Sequence, residues 1–172
     1  MTTPRLRPPE HRVSPRAVPM WRLETAIVSV VFAAVLCGAA WGVTAAAWSW
    51  VPDPVLRYAW WVPGLYGAYA VAEIAVAPSW RYRVHRWEVT ADVIYTRTGW
   101  LSRRWQLVPV SRIQTVDHKQ GWLERLFRVA TLKVQTASHA GSSTIEGLDA
   151  ADAQRISEEL AARAAELRDD AT

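Results

Sequence analysis

Residues 25–52 read TAIVSVVFAAVLCGAAWGVTAAAWSWVP, and no Asp, Glu, Lys, Arg or His occurs between Glu24 and Asp53. A hydrocarbon core of about 30 Å takes roughly 20 mostly apolar helical residues, so this run is long enough to cross a bilayer. A second apolar run, Tyr58 to Ala77, follows a connector whose only charges are Asp53 and Arg57. Together the two runs predict a transmembrane α-hairpin within residues 21–79, with spans at about 25–50 and 58–77.

The flanking charges orient that hairpin. Arg5, Arg7, Arg12, Arg16 and Arg22 precede the first run, and Arg81, Arg83 and Arg86 follow the second. Positive flanks stay on the cytoplasmic side, which predicts a multi-pass protein of the cell (inner) membrane with both termini cytoplasmic and the Pro52–Arg57 loop outside. Trp48, Trp50, Trp60 and Trp61 collect at the expected outer interface, and Trp21 and Trp80 at the inner one, as amphipathic rings do at headgroup level. Residues 1–20 carry five prolines, scattered arginines and no apolar period, which predicts a disordered basic arm. Cys37, the single cysteine, lies inside the first run and can form neither a disulfide framework nor a thiolate metal site. Gly38 and Gly42 form a GxxxG, and Gly64, Gly67 and Ala68 lie in the second run; small residues at this spacing are expected to let the two arms pack closely.

After Pro78 the apolar period shortens to two. Arg81–Thr90, Val93–Thr98, Arg103–Val110, Ile113–Lys119, Ala130–Ala137 and Thr144–Gly147 read as strands, with a one- to two-turn helix or tight loop over Gly121–Arg128. Asp149 caps a helix to about Leu167, with Ala153, Ile156, Leu160, Ala164 and Leu167 on one stripe and Asp152, Glu158, Glu159 and Glu166 opposite. The expected fold class is a membrane α-hairpin followed by a mainly-β (β+α) barrel or sandwich over residues 80–168, closed by a C-terminal amphipathic helix.

Two stretches carry a family likeness. Trp100-Leu101-Ser102-Arg103-Arg104, followed by Val108-Pro109-Val110-Ser111-Arg112-Ile113-Gln114-Thr115-Val116, resembles the bacterial pleckstrin-homology-like (PH-like) domain of small membrane proteins. So does Gln120-Gly121-Trp122-Leu123-Glu124-Arg125-Leu126-Phe127-Arg128-Val129-Ala130-Thr131-Leu132. The resemblance implies a PH-like fold and a membrane-tethered adaptor, and it implies no reaction. Arg128 stands where that pattern leads one to expect glycine, which predicts a turn that avoids positive φ.

The residues offer little chemistry. His11, His85, His118 and His139 are scattered, without a second ligand at metal spacing; no Gly-rich phosphate loop occurs, and Ser102 and Ser111 have no evident base. The chain is therefore expected to be no enzyme and to use no metal or cofactor. Nucleic acid is a poor partner, because Glu88, Asp92, Asp117 and the acidic helix dilute the basic residues. The expected partners are membrane lipids through the two transmembrane helices and a protein. On this reading the chain is a non-catalytic membrane-anchored adaptor that binds a protein partner or self-assembles at the cytoplasmic face, through Trp122 and Phe127. The alternative is an anionic-lipid sensor using Arg97, Trp100, Leu101, Arg103 and Arg104. A third reading is a small transporter subunit centred on Glu73, the one charge inside the second run.

Overall fold

The structure, a computed structural model, describes residues 8–46, 51–99, 103–136 and 142–169. The chain divides into two compact units, Trp21–Pro78 on one hand and Met1–Met20 with Ser79–Thr172 on the other.

The first unit is helical. It holds most of α1 (Ala17–Ala46), the short α2 (Asp53–Tyr58) and most of α3 (Trp61–Val84). Pro52 caps α2 with extended backbone, and Val55 N–H donates to its carbonyl at 2.9 Å. Among the described residues α1 is the one helix long and apolar enough to cross a membrane. α3 forms where the second arm is expected but falls short by the same measure, because Glu73, Pro63, Pro78, Gly64, Gly67, Tyr66 and Tyr69 dilute its apolar character. Both helices nonetheless leave large apolar side chains uncovered: Val30 is 67% exposed and Trp41 66%, Leu65 64% and Val71 70%. The two arms meet through Phe32 and Tyr66, whose rings pack edge to face at 4.9 Å. The glycines do not make this contact, contrary to expectation. A Cβ added at Gly38, Gly42, Gly64 or Gly67 meets nothing within 4 Å.

The second unit contains two antiparallel sheets and one core. β1 (His11–Arg12), β2 (Arg86–Val89), β3 (Val93–Thr98) and β4 (Arg104–Pro109) form the first sheet in that order. β5 (Ile113–Lys119), β6 (Val129–Thr136) and β7 (Ser143–Asp149) form the second, with α4 (Trp122–Phe127) between β5 and β6. Ile94 and Val108 of the first sheet, Leu132, Val134, Ile145 and Leu148 of the second, and Ala153, Ile156, Leu160 and Ala164 of α5 (Ala150–Asp169) belong to one buried cluster. Four residues of the expected stripe, Ala153, Ile156, Leu160 and Ala164, are thus on the face that closes the core, while the Leu167 side chain lies outside the described residues. Asp149 Oδ1 accepts from Ala151 N–H at the helix start. The Thr96 and Ser143 hydroxyls hydrogen-bond each other at 3.0 Å, so neither buried oxygen is left unsatisfied.

Three expectations are corrected. Residues 8–20 are not a disordered arm. β1 pairs with β2, Ser14 N–H donates to the Gly147 carbonyl at 2.7 Å, Arg16 pairs with Asp149 at 3.1 Å, and Pro9, Val13 and Ala17 are buried. A two-residue strand between prolines leaves no period in the sequence, yet it covers the otherwise open edge of β2. Second, Arg81–Val84 is helix rather than strand: α3 continues through Pro78, with Arg81 and Arg83 favourably placed at the negative end of the helix. Both the His85 N–H and its ring Nδ1 lie against the Arg81 carbonyl, at 2.9 and 2.8 Å. Third, Arg128 does adopt positive φ (φ 55°, ψ 40°), ending α4 with its N–H directed to the Arg125 carbonyl at 3.2 Å.

Two stability predictions follow from these corrections. Arg128→Gly removes the Cβ clash of the left-handed conformation and is expected to stabilise the domain by about 1 kcal/mol, read as a raised melting temperature. Val13→Ala is expected to cost about 1–2 kcal/mol in thermal melts of the full chain, although Val13 lies outside the stretch expected to fold.

Candidate functional site

In the first sheet Val89, Ile94 and Val108 point to the core, so the alternate residues point away from it. Register makes one such row of Arg12, Arg86, Arg97 and Trp105, each directly opposite the next on adjacent strands. Opposed side chains share a face with Cβ atoms about 5 Å apart, and like charges so placed repel. Aromatic rings and carbonyls hold them instead of carboxylates. Arg97 Nε donates to the Val84 carbonyl at 3.1 Å, and its guanidinium lies 5.3 Å from the Trp105 ring centre. Tyr95 stacks on Trp105 at 5.8 Å, and the Arg12 guanidinium lies 6.0 Å from the Tyr82 ring. Arg86 Nη1 reaches the Glu10 carbonyl only at 3.4 Å, and its Nε is buried without an acceptor. Among the described residues none of the three arginines forms an ion pair. Burial, and then the charges of Arg86 and Arg103, push the Arg97 pKa down.

Of the lipid-surface residues expected from sequence, Arg97 stands in this row, while Arg103 and Arg104 are exposed at the start of β4. Trp100 and Leu101 lie outside the described residues, as do Trp48, Trp50 and His139. Arg12 and Arg86 were missed, because only register reveals that they stand opposite Arg97.

α4 makes the second surface. Glu124 fixes this short helix from both sides, accepting from Gly121 N–H and from the Thr131 hydroxyl, each at 2.6 Å. Trp122 is 67% exposed and Leu126 66%, one helical turn apart, whereas Phe127 is half-buried. The exposed apolar pair is therefore Trp122 with Leu126, which the i, i+4 spacing could have indicated. Lys119, Arg125 and Arg128 are exposed around it.

Glu73 is half-buried on α3, one turn after Tyr69. Among the described residues no group of His, Cys, Asp and Glu is arranged to hold a metal ion. A cavity of about 210 Å³ between β2 and α5 is bounded by His11, Trp87, Ile156, Glu159 and Arg163, and its facing charges are paired, Arg163 with Glu159 at 2.6 Å.

Comparison with known proteins agrees with this architecture. The sequence pattern of the family described as Bacterial PH domain matches residues 22–164. The UPF0699 transmembrane protein YdbS of Bacillus subtilis (strain 168) is 28% identical over 166 residues, 94% of this chain and 96% of that protein. No solved structure matches.

His85, near Arg81 and Glu146 at the end of α3, has its pKa lowered, first by burial and then by the Arg81 charge, against opposing effects of the Arg81 carbonyl and Glu146. The unfolded chain then takes up this proton at higher pH than the folded one. Stability is expected to fall as pH drops below about 6.5, and His85→Gln to flatten that part of the melting-temperature profile.

Proposed function

The chain belongs to the bacterial PH domain family, and on that basis we propose that it is a non-catalytic, membrane-anchored adaptor whose PH domain docks a protein partner through the Trp122–Leu126 face of α4. The observation that carries this reading is the exposed apolar pair on a helix held rigid by Glu124. Held outward on a fixed helix, they offer a preformed anchor. Lys119, Arg125 and Arg128 around the pair favour an apolar partner segment flanked by acidic residues.

The same reading includes a two-span hairpin and a domain on the cytoplasmic side of the cell membrane. The pairing of His11–Arg12 with Arg86–Trp87 supports an intervening segment that begins and ends on the same side of a membrane. If α1 crosses, α3 returns. The uncovered apolar side chains of α3 support that return, and the arginine-rich flanks support a cytoplasmic domain.

A photoreactive amino acid placed at position 122 or 126 of the full chain in living cells tests the docking surface, with exposed Glu158 as the control position. Protein adducts at 122 and 126, suppressed by Arg125→Glu with Arg128→Glu while protein level holds, are the expected result. An adduct of dimer mass moves the reading to self-assembly, and labelling no greater than at 158 overturns it.

A further inference from the structure

We propose that Arg12, Arg86 and Arg97 form a binding site for the phosphodiester of an anionic phospholipid headgroup. Three guanidinium groups stand directly opposite one another on adjacent strands, and among the described residues no carboxylate pairs with them. Such a row is unfavourable as it stands and becomes favourable when an anion bridges it. Guanidinium suits that anion well, since its planar fork makes paired charge-assisted bonds to phosphate oxygens. Arg86 contributes a buried Nε with no acceptor and only long contacts to backbone carbonyls, so its donors are poorly used within the protein. Glu88, in the adjoining row, is buried and accepts from Glu10 N–H at 3.3 Å.

Chain connectivity selects a lipid over a soluble anion. The Val84 carbonyl that holds Arg97 follows Pro78, the last residue of the helical unit, by six positions, and Arg12 precedes Trp21 by nine. Six residues span at most about 20 Å even when extended. Both ends of the row are therefore tethered by short stretches of chain to the apolar helices. Around it stand Tyr82, Tyr95 and Trp105, rings suited to headgroup depth, and Leu107 of the adjoining row is 52% exposed. The site is separate from the α4 surface, and its failure would leave the docking reading intact.

The test uses the full chain in a neutral detergent, because a fragment beginning at residue 79 lacks β1 and Arg12. Short-chain phosphatidylglycerol, short-chain phosphatidylcholine and inorganic phosphate are titrated separately, with bound lipid counted by native mass spectrometry and phosphate assayed by its ability to displace lipid. Phosphatidylglycerol is expected to bind at least about tenfold more tightly than phosphatidylcholine. Each arginine removed should weaken it about fivefold, the counterpart of about 1 kcal/mol per basic residue at an anionic surface. Arg86→Gln with Arg97→Gln is the stringent variant. Arg12→Gln, which alters an exposed side chain, keeps the question open to measurement if the double variant does not fold. Equal affinity for the two lipids, or a preference that survives Arg12→Gln and the double variant, overturns the proposal. Displacement by phosphate at concentrations comparable to the lipid also overturns it, assigning the row to a free anion.

Discussion

The pairing of Arg12 with Arg86 is the constraint on which the rest of the molecule depends. It joins residues from before and after the helical unit into one sheet, making that unit an insertion between the first two strands of a domain. Closing so long a loop costs about 4 kcal/mol if the insert is a flexible chain, and less when its ends are already held together. The contacts clustered at the junction offset that cost: Ser14 to Gly147, Arg16 to Asp149 and Arg81 to Glu146, all on β7. The two ion pairs are largely exposed and contribute little individually. Burial of Val13 and Ala17 and the backbone bonds do most of the fastening.

The same sheet separates structure from function by its two faces. Inward, Ile94 and Val108 join the second sheet and α5 in a core without charges. Outward, Arg12, Arg86 and Arg97 stand opposite one another, with Trp105 at the end of their row and Tyr95 beside it. Cation–π contacts contribute about 0.5–1 kcal/mol each at exposed sites, enough to position Arg12 and Arg97 but not to cancel three neighbouring charges. The face is thus ordered and electrostatically incomplete, whereas on α5 Arg155 pairs with Asp152 and Glu159, and Arg163 with Glu159.

How much of this was legible in the sequence follows from the range of the interactions involved. The strands from Val93 to Lys119 and the α5 stripe rest on local periods, and they lie close to where those periods put them. The end of α3 was misread because Arg81-Tyr82-Arg83-Val84 alternates like a strand, whereas the helix continues through Pro78 to Val84 with Arg81 and Arg83 in its last turn. β1 was invisible because its signal belongs to β2, whose edge it completes. Arg97 and Trp122 could be singled out by type and neighbours. Arg12 and Arg86 could not, since strand register is a property of pairs far apart in sequence. Leu126 could have been preferred to Phe127 by helical spacing alone.

The insertion also dictates an order of assembly. During synthesis the strand at His11 leaves the ribosome first but has no partner until Arg86 emerges, which at 5–20 residues per second is roughly 4–15 s later. Throughout that interval α1 is available to the insertion machinery while β1 waits as an open edge. If the helical unit crosses a membrane and returns, as proposed, completion of the sheet reports that the intervening chain has gone out and come back: a polypeptide that stopped halfway would carry its first strand on one side of the bilayer and the remaining six on the other. On that proposal the domain is a clasp that can be fastened only after correct threading.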